Sequence, residues 1–326
     1  MYPFDLIERA TTTEVIESDN LKGFGWKVED RGPYFPQLLY ECSDPCVLGV
    51  DPARTSDFSA FVVIRMGELA TGTFDPITGT GATAWNNVIW AEQKKQMTIN
   101  QVTLKIRELK ARYNLHIPDN PELAPAITID ARGAMSGTTV RDELAKPSPE
   151  VDHLGQVNPI WKSPKPIYDP TDKEYLTLKL DPNAWPGLRL LWTSDTMNTE
   201  LVSFSKGQLE VSKLFIAKSL SKSERYDSRE ELMTGYIGVK VLADQLVTIQ
   251  GKPTQHAFRY EMPGNTRRVD NKKDMFSAFL YACAALREHR KLLIKNRKAP
   301  PVAAAIVMNR RGHKRLDVFG DLKRIS

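Results

Sequence analysis

Short apolar blocks alternate with polar turns along this chain and predict a mixed α/β fold. An apolar run, a turn rich in polar residues and a β-branched run predict a β-hairpin over 47–64. The predicted strands lie at 47–50, 58–64, 83–92, 126–130, 188–191, 213–217 and 256–262, with one more near Ile160. The predicted helices lie at 98–113, 138–144, 196–205, 229–249 and 275–286. Three strands followed by helix, strand and helix predict a mixed sheet with helices on both faces.

Aspartates stand at the ends of two predicted strands and at the start of one helix. Asp51 and Asp130 each follow an apolar strand, and Asp274 opens the last helix. Each has a structural explanation, because aspartates form turns and cap helix starts. A carboxylate at the end of a buried strand is nevertheless costly unless a cation meets it. The functional interpretation therefore depends on all three together.

Carboxylate oxygens are the ligands that Mg²⁺ and Mn²⁺ prefer. Asp57 follows Asp51 by six positions, and the hairpin would hold both near one sheet edge. The sequence therefore predicts a site for two divalent cations, with Asp51, Asp130 and Asp274 as catalytic ligands. Asp57 is expected to hold a metal or its water from farther out. Asp270 replaces Asp274 in this scheme if Asp274 only caps its helix.

These motifs resemble the nuclease domain of the large terminase subunit of tailed bacteriophages, a member of the RNase H-like superfamily of two-metal nucleases. The resemblance covers roughly residues 40–290. The matching residues are Gly49-Val50-Asp51-Pro52, Asp57, Ile129-Asp130-Ala131-Arg132-Gly133, Gly137 and Asp274-Met275 with Ala278 and Ala282. The family often carries a His-Asp-Asp run before its last helix and an Asp one turn later. This chain departs from that pattern with Lys272, Lys273, Asp274 and Ser277.

The resemblance implies an RNase H-like (RuvC-like) mixed central sheet and a Mg²⁺- or Mn²⁺-dependent endonuclease that uses two ions. Such an enzyme cuts double-stranded DNA during viral genome packaging by two-metal phosphodiester hydrolysis. The partners that the resemblance implies are double-stranded DNA, the terminase ATPase motor domain, the small terminase subunit and the portal. Four cations next to the acids in sequence are expected to contact DNA, namely Arg54, Arg132, Lys272 and Lys273. No helix-turn-helix or zinc-finger pattern appears, so we expect cutting to be largely indifferent to sequence.

Composition indicates a globular protein, and the charge distribution indicates a basic segment that can bind phosphate. With 326 residues and 41% hydrophobic content, it can bury a substantial core. Three cysteines are too few for a disulfide framework, and no signal pattern or membrane-length apolar run occurs, so we expect work in the host cell cytoplasm. The net charge of +5 combines +9 in residues 287–326 with −4 before them. A basic tail of this kind attracts phosphate backbones or forms a solvated helix face.

Three segments are expected in the domain organisation. Residues 1–40 form an N-terminal lead-in or linker, 41–295 the RNase H-like nuclease domain, and 296–326 the basic C-terminal tail. The sequence contains no G-x-x-x-x-G-K-[ST] phosphate loop. We therefore expect the ATPase motor to be absent from it.

Two other classes of protein remain possible on sequence alone. Asp51-x₃-Thr55 and Asp130-x-x-Gly133 loosely echo the phosphate loops of actin-like or sugar-kinase-like ATP-binding proteins, although the first loop lacks glycine. ATP binding without Mn²⁺-dependent DNA cleavage would favour that class. A DNA-binding or motor-docking module would instead use its aspartates only as caps and turns. Other RNase H-like nucleases, such as junction resolvases or transposases, share the acids and differ in substrate.

Overall fold

A mixed β-sheet and six helices make up the part of the chain that the structure describes. The computed structural model describes residues 2–11, 42–53, 57–67, 85–132, 137–146, 165–217, 230–263 and 273–297. The strands are β1 (Cys42–Asp51), β2 (Phe58–Met66), β3 (Asn86–Lys95), β4 (Tyr113–Leu115), β5 (Ile127–Asp130), β6 (Leu188–Leu191), β7 (Leu214–Ile216), β8 (Gln250–Pro253) and β9 (Phe258–Glu261). The helices are α1 (Phe4–Thr11), α2 (Ile99–Arg112), α3 (Gly137–Leu144), α4 (Asp195–Glu210), α5 (Glu230–Thr248) and α6 (Asp274–Arg297).

The main sheet has seven strands in the order β6-β5-β1-β2-β3-β7, with β4 also paired to β1. The first three strands form an antiparallel meander, whereas β5 pairs parallel with β1 and β6 parallel with β5. An antiparallel meander extended by parallel strands beside its first strand is the RNase H-like arrangement. The structure therefore confirms the fold class predicted from the sequence.

Helices cover the sheet because its central strands are apolar on both faces. Residues 60–64 of β2 and 47–50 of β1 are fully buried, which is the pattern of strands covered on both sides. Helices α5 and α6 contact each other where Gln245 Oε1 accepts a hydrogen bond from Phe276 N at 2.8 Å. Helices α2 and α3 meet where Arg107 donates to the carbonyl of Leu144 at 3.1 Å.

The N-terminal segment contributes a helix that the sequence pattern did not predict. Helix α1 buries Leu6 and Ile7, and Tyr2 just before it shares a 2.5 Å hydrogen bond with Ser205 of α4. The chain divides into two compact units, 1–289 and 290–326. Residues 12–41, the strand expected near Ile160 and the tail from 298 lie outside the described residues, so the three-segment division stays a prediction. No helix in the described ranges is long and apolar enough to cross a membrane.

A second, two-stranded sheet lies apart from the main one and is formed by β8 and β9. The two strands pair antiparallel, with Lys252 opposite Arg259 and Gly251 opposite Tyr260. The sequence predicted β9 but not β8. We call this pair of strands the β8–β9 hairpin.

We predict that Gly49→Ala destabilises the protein, because α6 crosses β1 directly over Gly49. A Cβ there would overlap the backbone oxygen of Ala278 and the backbone nitrogen of Ala282, and would lie 2.9 Å from the Cβ of Ala282. Overpacking of this kind costs about 1–3 kcal/mol in the free energy of unfolding, measured by urea denaturation. Gly207→Ala is the matched control, since nothing lies within 4 Å of a Cβ at that position in α4. The control should stabilise by about 0.5–1 kcal/mol, and similar losses in both variants would contradict the packing described.

Candidate functional site

Two predicted site aspartates lie side by side at one edge of the main sheet. Strands β1 and β5 run parallel, and Val50 stands opposite Ile129 in their register. Asp51 and Asp130, the next residue of each strand, therefore end neighbouring strands at the same carboxyl edge. Ligand sites in α/β sheets commonly lie outside this edge.

Helix α6 brings the third aspartate to the same edge. Because Gly49 has no side chain, the backbone at Ala278 and Ala282 lies directly on β1. Asp51 is two residues after Gly49 and points to the same face of the sheet. Asp274 is one helical turn before Ala278 and shares its side of the helix. We call Asp51, Asp130 and Asp274 the acid cluster.

The charges of both Asp130 and Asp274 act on the carboxylate of Asp51. Withdrawal from water raises the pKa of Asp51 well above its usual value, and the charges of Asp130 and then Asp274 raise it further. A hydrogen bond from the Ser277 hydroxyl and the charge of Arg132 act in the opposite direction and do not cancel the rise. The acid cluster is thus a region of excess negative charge that a bound cation would stabilise.

Arg132 supplies part of the compensating positive charge. Its backbone N–H donates to Asp130 Oδ1 at 2.9 Å, and its Nε lies 3.4 Å from the same oxygen. Its Nη2 donates to the Tyr281 hydroxyl at 3.0 Å. Burial raises the pKa of Tyr281, and the charges of Asp51 and Asp130 raise it further. Tyr281 therefore stays a neutral phenol beside two carboxylates.

Lys273 also lies at this site, one residue before α6. Its Nζ donates to the carbonyl oxygen of Tyr260 at 3.2 Å, which ties the start of α6 to the β8–β9 hairpin. Lys273 and Arg132 line the same cleft of about 100 Å³, together with Ser277 and Tyr281. Positive charge therefore lines a cleft that includes Arg132 and Ser277, the residues that interact with Asp130 and Asp51.

The remaining predicted residues stay untested as parts of the site. The backbone oxygen of Asp57 accepts from Gln96 N at 3.2 Å, where β2 begins beside the end of β3. Asp57 is absent from the charges that act most strongly on Asp51. Its role as a metal ligand stays a prediction. Arg54, Lys272 and Asp270 lie outside the described residues.

The donor chemistry of the acid cluster fits a hard divalent cation. Across the described ranges, no three His, Cys, Asp or Glu side chains are arranged as a ready-made metal cage. Mg²⁺ does not need one, because it keeps several waters and is commonly held by one or two carboxylates and substrate phosphates. The adjacent carboxylates of Asp51 and Asp130 meet that requirement, and the raised pKa of Asp51 indicates a charge that a cation would offset.

Two residues of the site were not predicted as functional. Ser277 is a departure from the family pattern, and Tyr281 belongs to the helix predicted over 275–286. Both follow Asp274 at helical spacing, three and seven positions later, so they share its side of α6. That spacing was the available signal.

Comparisons with known proteins give similarity to solved structures only. No family model and no curated protein matches this sequence. One similar structure is the large terminase nuclease from thermophilic phage G20c with bound magnesium, at 13% identity and a TM-score of 0.41, covering 76% of this chain and 84% of that chain. Another is the nuclease domain of the large terminase subunit gp2 of bacterial virus Sf6, at 11% identity and a TM-score of 0.40, covering 86% and 97%.

These structures are nuclease domains of large terminase subunits, the class of protein that the motifs of this chain resemble. A further match is the Sf6 domain with manganese, at 11% identity and a TM-score of 0.42, covering 86% of this chain and 97% of that one. The identities are low. The functional argument below therefore depends on the residues of this chain.

We predict that Asp51→Asn stabilises the metal-free protein at neutral pH. The pKa of Asp51 is raised in the folded state, so its ionisation costs stability as pH rises from the ordinary value of about 3.9 through the folded value. Melting temperatures in EDTA should therefore be higher for Asp51→Asn than for wild type at neutral pH, and the difference should shrink towards pH ~4.

The control for this experiment is Asp244→Asn, which removes an exposed carboxylate from α5. It should not reproduce the pH-dependent gain. Added Mn²⁺ should raise the melting temperature of wild type and of the control but not that of Asp51→Asn, because only the first two keep the ligand. A wild type that is more stable than Asp51→Asn in EDTA across the whole range would contradict the account.

Proposed function

We propose that this chain is a divalent-metal-dependent endonuclease that cuts double-stranded DNA by two-metal hydrolysis of a phosphodiester bond. The observation that carries the proposal is the convergence of Asp51, Asp130 and Asp274 on one sheet edge. Withdrawal from water, together with the charges of Asp130 and Asp274, raises the pKa of Asp51 well above normal there. No other function considered needs three carboxylates to be held against their mutual repulsion.

Each residue of the site has a role in this reaction. Asp51, whose pKa is raised by the charges of both other acids, would be a ligand of the metal ions. Asp130 and Asp274 would complete their coordination. When bound, Mg²⁺ or Mn²⁺ supplies a hydroxide from coordinated water and stabilises charge on the leaving 3′-oxygen. No side chain has to act as the nucleophile.

Hydrogen-bond donors next to the acids orient their carboxylates. The Ser277 hydroxyl donates to Asp51, and the backbone N–H of Arg132 donates to Asp130 at 2.9 Å. Such outer hydrogen bonds fix the direction of a ligand carboxylate. The guanidinium of Arg132 and the ammonium of Lys273 bring positive charge to the cleft beside the acids, which suits a phosphodiester substrate.

The positive charge of the C-terminal segment supports DNA as the substrate. Residues 287–326 carry a net charge of +9, and sequence-independent attraction to phosphate follows from such a segment. The sequence carries no base-reading motif, so cutting is largely without sequence specificity. In this role the chain acts in the host cell cytoplasm during viral genome packaging. Its partners there are a terminase ATPase motor domain, the small terminase subunit and the portal.

The ATP-binding alternative has less support. Actin-like and sugar-kinase-like proteins pair two domains of this fold around the nucleotide. The described residues hold a single sheet of this type, and the other sheet is the two-stranded β8–β9 hairpin. The acids of such proteins also do not need a third partner from the last helix.

We expect Asp51→Asn and Asp130→Asn each to lower Mn²⁺-dependent nicking of supercoiled plasmid by about 100-fold or more, because each removes a metal-ligand oxygen. Binding to the same DNA in EDTA should be retained. Asp244→Asn, on the surface of α5, should cut like wild type. Cleavage that persists undiminished in purified Asp51→Asn would exclude the proposed mechanism.

A further inference from the structure

The cleft beside the acid cluster extends beyond the residues assigned to catalysis. Arg132, Ser277 and Tyr281 line it, and so do Asp195 and Asn198 of α4 and Arg259 of the β8–β9 hairpin. Its volume of about 100 Å³ has room for several water molecules. A group of the size of a phosphate fits there and would lie beside Arg132 and Ser277, which interact with Asp130 and Asp51.

Positive charge lines this cleft, and each cation is held by a protein acceptor. Arg132 is held by Asp130, and Lys273 by the carbonyl of Tyr260 at 3.2 Å. Arg259 lies 3.4 Å from Asp195, the first residue of α4. The side chain of Arg259 is 60% exposed and that of Asp195 33% exposed. Exposed ion pairs of this kind are weak, so an anion that enters the cleft can compete for the guanidinium.

The position of the hairpin does not depend on the Arg259–Asp195 pair. The Thr199 hydroxyl accepts from Phe258 N at 2.9 Å and lies 3.3 Å from Phe258 O. The ring of Tyr260 packs against that of Phe276, with centroids 5.9 Å apart. Lys273 adds the hydrogen bond to Tyr260. Because these contacts anchor the hairpin to α4 and α6, Arg259 is not needed to hold the hairpin in position.

We propose that this cleft is a phosphate subsite for the DNA strand being cut. In it, Arg259 leaves Asp195 and binds the phosphodiester next to the one held at the acid cluster. This inference rests on the proposed nuclease function and assigns that site a further binding residue. Arginine suits the task because its planar fork of N–H groups matches two phosphate oxygens. Lys273 and Asn198 lie on the same cleft and can donate to the same group.

Asp195 has a defined part in the subsite. Its carboxylate stands in for phosphate in the free protein and holds Arg259 beside the cleft. DNA must displace this carboxylate before the guanidinium can bind it. The two members of the pair should therefore affect DNA binding in opposite directions, which a purely structural ion pair would not do.

The test is the binding of a short fluorescein-labelled DNA duplex of mixed sequence, measured in EDTA over a series of KCl concentrations. Arg259→Ala should weaken binding by about threefold or more, and it should reduce the slope of log Kd against log salt by about one. Arg259→Lys should keep the slope and part of the affinity. Asp195→Asn should tighten binding. Lys206→Ala is the control, since Lys206 forms a similar ion pair with Glu210 (3.7 Å) at the other end of α4.

The proposal is overturned if Arg259→Ala binds DNA with the affinity and salt slope of wild type. It is also overturned if Asp195→Asn weakens binding as Arg259→Ala does, because the pair would then only anchor the hairpin. Since EDTA prevents cleavage, these results are independent of the nuclease proposal. If the wild type cuts DNA and Arg259→Ala changes neither the affinity nor the salt slope, only the phosphate subsite is wrong. If the salt slope depends on Arg259 but Asp51→Asn cuts DNA as well as wild type, only the nuclease proposal is wrong.

Discussion

Repulsion among three carboxylates at one sheet edge is the constraint on which the rest of the site depends. Withdrawal from water raises the pKa of Asp51 well above its usual value, and the charges of Asp130 and Asp274 raise it further. A folded protein keeps carboxylates that repel each other at one place only when its backbone packing leaves them no other position. Here the packing consists of the parallel pairing of β1 with β5 and the contact of α6 with Gly49. The unfavourable charge is therefore built into the fold, and a bound cation would remove it.

The residues around the acid cluster reduce the repulsion without abolishing it. Ser277 donates a hydrogen bond to Asp51, and Arg132 places both a backbone N–H and a guanidinium on Asp130. The same guanidinium is bound to Tyr281 of α6, which joins the strand end to the helix. Positive charge continues into the cleft through Lys273 and Arg259. The proposed cation site and the proposed phosphate subsite would thus lie next to each other, as the proposed hydrolysis of a phosphodiester requires.

Much of this could be predicted from sequence where the signal is local. The hairpin of β1 and β2, strand β5 and strand β6 follow from apolar runs and turn residues, and the strand-end aspartates mark the site edge. Strand β4 could not be predicted because its three residues directly follow a helix, and strand β8 because Gln250–Pro253 is polar and contains glycine and proline. Helix α1 was missed because only two turns of pattern were available. Arg259 could not be placed because the hairpin brings it from a distant part of the chain.

The role of Asp57 as a metal ligand stays a prediction from spacing. Six residues separate it from Asp51, and the hairpin does place both near the ends of β1 and β2. Its backbone, however, pairs with Gln96 beside β3, while Asp51 lies between β2 and β5. Nearness along a turn does not fix where a carboxylate points. The three acids that converge do so through the sheet register and a helix crossing, which are non-local.

The central claim is that the acid cluster is a metal centre, and the most direct measurement is anomalous X-ray diffraction from crystals soaked in Mn²⁺. The account predicts strong anomalous peaks within about 2.3 Å of carboxylate oxygens of Asp51 and Asp130, with Asp274 completing the coordination. Manganese bound elsewhere, with the Asp130–Arg132 pair unchanged and no peak at the acid cluster, would contradict it.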